Sequence, residues 1–264
     1  MRPDRLAQRD ATGLRWSYDP DGCCEIRKVE PLRRALVPFD AWISGRKSFQ
    51  QGRGGIPRVE LDEGKLKIYF RGAYWMDTHQ GPEQVEKIVE AKNRDNEGRS
   101  MFKTRAVKFF MDGVLESITA FLLEPYEKAD GRPEGWRGDQ IWDPDNMNKC
   151  VAAIDKAGMG IHVHCAGDAA VKQSLDAIEY AQKVNGREDR RHCITHIFLV
   201  DPNDIHRFKD MGVVAMLNSY WAQIDETYFV NGTYTGMDRI AHTYPINSFF
   251  KSGCVVANAS DYPI

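Results

Sequence analysis

Between residues 160 and 168 the chain reads Gly-Ile-His-Val-His-Cys-Ala-Gly-Asp, an alternation of apolar residues and histidine that runs into a turn. Period-two alternation predicts a strand over 161–165, and the run over 169–183 predicts a helix returning behind it. The same succession recurs on both sides. Residues 82–93 place Val85, Ile88, Val89 and Ala91 at helical spacing, 102–112 form an apolar strand interrupted by Lys108, and 143–157 read as a helix. Further on, 191–197 read as a strand, 202–211 as a short helix, 213–217 as a strand, 239–252 as containing a helix and 254–257 as a last strand. Residues 70–75 could form one more strand. Residues 218–238 are a polar and aromatic insertion carrying Trp221, Tyr228 and Tyr234. Strands alternating with helices at these spacings are βα units. Their right-handed crossovers build either an open doubly wound sheet or a barrel.

The polar residues decide between the two. Lys108, His164, His196 and Asp261 each sit in or just after an expected strand. In a barrel those strand ends converge on one point. His162 and His164 are two apart and share a strand face; His192 and His196, four apart, also share one. Imidazole nitrogens and carboxylate oxygens are good ligands for Zn²⁺ and similar divalent ions. A lysine inside an apolar strand is costly unless it is paired or discharged. It could join a metal site as the carbamate that its neutral amine forms with CO₂. The plain alternative is an edge strand with Lys108 facing water.

Composition narrows the class. The 264 residues are 42% hydrophobic and 28% charged, as in a globular protein. No run approaches the roughly 18 apolar residues of a membrane span, and the first ten residues carry no apolar signal core, so a cytoplasmic location is expected. The six cysteines are scattered apart from Cys23–Cys24, which is no disulfide framework. Charge is uneven: residues 1–69 carry a net +4 and residues 70–264 a net −6. A basic front and an acidic body point to two modules, 1–69 and 70–264. In the front module 32–36 read as a short helix and 41–44 as a short strand from which Arg46 and Lys47 emerge beside Gly45, an arrangement suited to phosphate or sulfate.

Two resemblances follow from these motifs. Cys23-Cys24-x-x-Arg-Lys-Val-x-Pro-Leu, then Phe39-Asp-Ala-Trp-Ile-x-Gly-Arg-Lys, resembles the adenylylsulfate/phosphoadenylylsulfate reductases over about residues 11–68. That resemblance implies cluster ligands at Cys23 and Cys24 and nucleotide contacts at Arg27, Arg46 and Lys47. The family's Ser-Gly-Gly loop and its second cysteine pair are missing, and a cubane cluster takes four thiolates. A cluster is therefore not the expected cofactor, and a reductase fragment is the alternative reading.

Residues 70–264 resemble the metal-dependent amidohydrolases of the amidohydrolase-3 or YtcJ-like group. The likeness is carried by Val107-Lys-x-Phe-x-Asp-Gly-Val-Leu-Glu-Ser, His162-Val-His-Cys-x-Gly-Asp-Ala-Ala, Thr195-His-Ile-x-Leu-Val and Ser260-Asp261-x-Pro. It implies a partial (β/α)₈ TIM-like barrel of strands four to eight, preceded by a small α/β fragment. It also implies metal ligands at Lys108, His164, His196 and Asp261, with Asp261 taking a proton from the attacking water and His162 as an additional candidate. One or two zinc-like ions and hydrolysis of an amide or cyclic amide are then expected. The expected partner is a small molecule, without nucleic acid or membrane, in a chain that could form a homo-oligomer. No His-x-His occurs before residue 162. The first-strand pair of the family is thus absent, and an inactive composite chain is the third reading.

Overall fold

The computed structural model describes residues 70–261, with Arg9, Asp10 and Asp19 as isolated positions upstream. The elements expected at 32–36 and 41–44, together with Cys23, Cys24, Arg27, Arg46 and Lys47, lie outside the described residues. Residues 70–261 belong to one compact unit. Its six strands are β1 (Phe70–Trp75), β2 (Phe102–Phe110), β3 (Gly160–Cys165), β4 (Cys193–His196), β5 (Val214–Leu217) and β6 (Val256–Asn258). All pair in parallel, in sequence order, with β1 and β6 at the edges. The sheet thus has one strand more than the five expected, because Phe70–Trp75 joins it. β2 lies between β1 and β3, so an edge position for Lys108 is excluded.

The helices are α1 (Gln84–Asn96), α2 (Pro144–Lys156), α3 (Asp168–Asn185), α4 (Ile205–Met211), α5 (Glu226–Thr235), α6 (Met237–Ile240) and α7 (Ile246–Ser252). The local sequence explains their limits. Asp143 caps α2 by accepting from the Asn146 amide at 2.8 Å, Pro144 occupies the first turn, and Lys156 sits in the last. Met147, Cys150, Val151 and Ile154 then fall on one stripe and are buried. Helix α4 stops at Gly212, whose φ of 71° is the left-handed conformation glycine adopts without strain. The insertion, read from sequence as polar and aromatic, carries α5 and α6.

Each strand gives one face to the helices. Val107, Phe109 and Met111 of the β2 segment, Ile161, Val163 and Cys165 of β3, Ile194 of β4, and Ala215 and Leu217 of β5 join the helical core. Phe109 packs on Trp142, ring centres 5.0 Å apart. Burying such side chains contributes about 1.5–3 kcal/mol each. The opposite face, the inner face of the partial barrel, carries Lys108, Phe110, His162 and His164. Register sets Lys108 level with His162, and Phe110 level with His164. The polar candidates therefore sit on the one face that the hydrophobic core does not claim.

Candidate metal centre

Three of the candidates come directly from strand alternation. His162 and His164 point to the inner face, as expected from their spacing, with Lys108 beside them. Lys108 is half-buried, its ammonium lying 4.8 Å over the Phe110 ring. Phe110 in turn stacks on His164 at 5.0 Å and meets exposed Trp75 at 5.2 Å. Burial lowers the Lys108 pKa, against the pull of the Cys165, Cys193 and Asp261 charges. Burial also brings His162 down to about 4, reinforced by Lys108 and His164.

His196 arrives by another route. Cys193 pairs with His162 and Thr195 with His164, so β4 presents those two residues to the inner face. Alternation would send His192 and His196 to the helix side. His192 does go there: its Nε2 lies 3.3 Å from Asp155 of α2, and its Nδ1 receives the Ile161 amide at 3.3 Å. His196 does not. Its φ of 75° and that of Ile197, 51°, are left-handed and break the alternation at the strand end. The His196 ring comes to lie 4.5 Å from that of His164, and Ile197 enters the core. The shared face expected for His192 and His196 is therefore corrected. Left-handed backbone at a branched residue costs on the order of 1–2 kcal/mol, a cost typically met at functional sites.

Each histidine of this pair has one ring nitrogen fixed by a protein oxygen. His164 Nε2 lies 2.9 Å from the carbonyl oxygen of Gly113, which only accepts, so that nitrogen carries the proton. His196 Nδ1 lies 3.0 Å from Asn218 Oδ1, assigned likewise as acceptor. The second nitrogen of each keeps its lone pair. Burial holds His196 down at about 3, helped by His164 and Lys108, and lowers His164 as well. Both rings are thus neutral imidazoles whose outer nitrogens are oriented by carbonyl oxygens, the arrangement that metal-ligating histidines require.

Asp261 is exposed, with a left-handed φ of 51°, and its charge weakly opposes the burial that lowers the pKa values of Lys108 and His164. Among the described residues no group of three or more His, Cys, Asp or Glu side chains is close enough to hold a metal ion. The rings of His164 and His196 lie 4.5 Å apart, and Lys108 acts electrostatically on both and Asp261 on His164, without completing a closed set.

Asp112 is the residue that sequence reading passed over. It is 2% exposed, and its carboxylate accepts from the amides of Ala166 at 3.0 Å, Gly167 at 2.8 Å and Phe121 at 2.9 Å. Its Oδ1 lies 3.6 Å from His164 Nε2. Burial pushes its carboxyl up to about 7 against those three donors. The signal was present as the Asp-Gly ending the β2 motif, but its partners lie 9, 54 and 55 residues away. On the other side of the pair Trp221 stacks on His196, 5.5 Å away and 6° from parallel.

The model of the amidohydrolase family matches residues 59–264. The chain is 28% identical over 240 residues to the exoenzymes regulatory protein AepA of Pectobacterium carotovorum, covering 88% of this chain and 48% of that protein. It is 30% identical over 159 residues to YtcJ of Bacillus subtilis, assigned by name to the amidohydrolases, covering 60% of this chain and 28% of YtcJ. A separate part is 44% identical over 64 residues to the adenosine 5′-phosphosulfate reductase of Mesorhizobium japonicum, covering 24% of this chain and 25% of the reductase. Among solved structures, a metal-dependent hydrolase from Pyrococcus furiosus superposes with a TM-score of 0.59 at 25% identity, covering 76% of this chain and 38% of that one. The chain thus spans less than half the length of these relatives. Among the described residues no helix is long and apolar enough to cross a membrane. The in-order parallel sheet with its histidines at the strand ends agrees with the family match over most of the sequence, and on these grounds the chain belongs to the amidohydrolase family.

Proposed function

We propose that this chain serves the hydrolysis of a C–N bond, an amide or cyclic amide of a small molecule, at a divalent metal such as zinc held by His164 and His196. The observation that carries the reading is the neutral histidine pair with outer nitrogens fixed by Gly113 O and Asn218 Oδ1. When bound, such a metal polarises a carbonyl and makes water a better nucleophile. The chain's own residues supply the rest. Burial holds Lys108 toward its free amine, the form that adds CO₂ with loss of a proton to give an anionic oxygen donor. The Asp261 carboxylate takes a proton from the attacking water and delivers it to the leaving nitrogen as the C–N bond breaks. The test is metal content of protein purified without chelator, with turnover of acyl amides and cyclic amides. One or more zinc equivalents, lost on Lys108→Ala or His196→Ala together with turnover, is the expected result. Protein without metal or turnover sinks the reading.

A second reading rests on the reductase likeness of the separate stretch. Iron and sulfide in the same analysis, lost on Cys23→Ser, would transfer the assignment to the Cys23–Cys24 module.

A further inference from the structure

Beyond the histidine pair, a cavity of about 510 Å³ opens among the segment after β2, the insertion helices and residues 240–244. Phe198, Trp221, Tyr228 and Tyr244 supply its aromatic wall. Trp221 and Phe198 also contact the His196 ring, at 5.5 Å and 6.2 Å, so the cavity begins one ring away from the candidate centre. Two carboxylates, Glu116 and Asp225, line it, and no Lys, Arg or His does among the described residues. Both carboxylates act on the same point: together with burial they raise the pKa of the Tyr244 hydroxyl. Asn231 lines the cavity too. It is 7% exposed, and its Oδ1 is enclosed by protein rather than open to the cavity.

Aromatic faces and two negative charges form one chemical environment. Ring faces attract cations, and carboxylates attract them more. A neutral apolar group would use the rings but gain nothing from Glu116 and Asp225. An anion would be repelled. From this we infer that the cavity is a subsite for a cationic nitrogen group, an ammonium or amidinium carried on an apolar stem, which directs substrates bearing such a group toward the histidine pair. Asp225 also caps α5, accepting from the Tyr228 amide at 3.1 Å, so its carboxylate is held in place before any ligand arrives.

The inference rests on the hydrolase reading for calling the bound molecule a substrate; cation binding itself requires no turnover. The test is calorimetric titration of the full chain, stripped of metal, with phenethylammonium chloride and with 2-phenylethanol at constant ionic strength. The cation should bind about tenfold tighter than the alcohol, and Glu116→Gln should remove most of that preference while leaving alcohol binding unchanged. Asp225→Asn, which retains a capping oxygen, should act in the same direction. Equal affinity for the two probes, an unchanged preference in both variants, or no binding of either probe overturns the proposal. Binding of the cation by a chain that holds no zinc and hydrolyses no amide would retain the subsite and remove the hydrolase reading. Turnover without cation preference would do the reverse.

Discussion

Asp112 ties three loop amides to the base of the candidate centre, and its removal has a calculable cost. In Asp112→Ala the amides of Phe121, Ala166 and Gly167 lose their acceptor in a site where the carboxylate itself is 2% exposed. A buried donor left unpaired costs about 1–3 kcal/mol, and partial relaxation brings three of them to roughly 3–6 kcal/mol. For a domain of this size 1 kcal/mol moves Tm by about 2–4 °C, so the variant should melt on the order of 10 °C below the parent. Asp112→Asn keeps one oxygen and should lose roughly half as much, since its amide nitrogen must face at least one of the same donors. Thermal melts rank the three proteins, and hydrogen exchange read on the peptide spanning Ala166 and Gly167 localises the effect. A parent-like Tm in Asp112→Ala, or unchanged exchange there, would refute the claim that this carboxylate clamps the loops.

Three further outcomes follow from the same geometry. A Cβ on Gly167 would run into the carbonyl oxygen of Phe121, so Gly167→Ala should lose about 1–3 kcal/mol in urea denaturation, and an unchanged midpoint would mean the two loops separate freely. Burial lowers the His192 pKa below its ordinary value of 6.5, against Asp155 and Asp189 and with Arg190. The folded state therefore binds the proton less well than the unfolded one. The stability this contributes is complete above 6.5 and is lost as pH falls through that value toward the lowered folded pKa. Parent protein should lose more stability between pH 8 and pH 5 than His192→Gln does; equal losses would rule out a neutral buried His192. Under the proposed metal chemistry, Asn218→Ala should weaken zinc binding about 10- to 100-fold by freeing the His196 ring, as measured by competition with a chelating dye. Unchanged affinity would show that the contact does not orient the ring.

Much of the architecture was legible along the chain because it depends on local periodicity. The apolar stripe Met147, Cys150, Val151 and Ile154 fixed α2, and Ile-His-Val-His fixed both β3 and the face on which its histidines stand. Lys108 between Val107 and Phe109 could only occupy the face opposite the core. Tertiary structure decided what periodicity does not encode. Phe70–Trp75 becomes a strand by pairing with β2, whose sequence lies 32 residues further on. His196 reaches His164 because the backbone turns left-handed at the strand end, whereas alternation would have sent it to the helices with His192. The role of Asp112 and the walls of the acidic cavity depend on loops from distant parts of the chain meeting in space. Side-chain alternation is a property of neighbouring residues and can be read in one pass, but a strained turn, a buried carboxylate's donors and a cavity's lining exist only once the loops have packed.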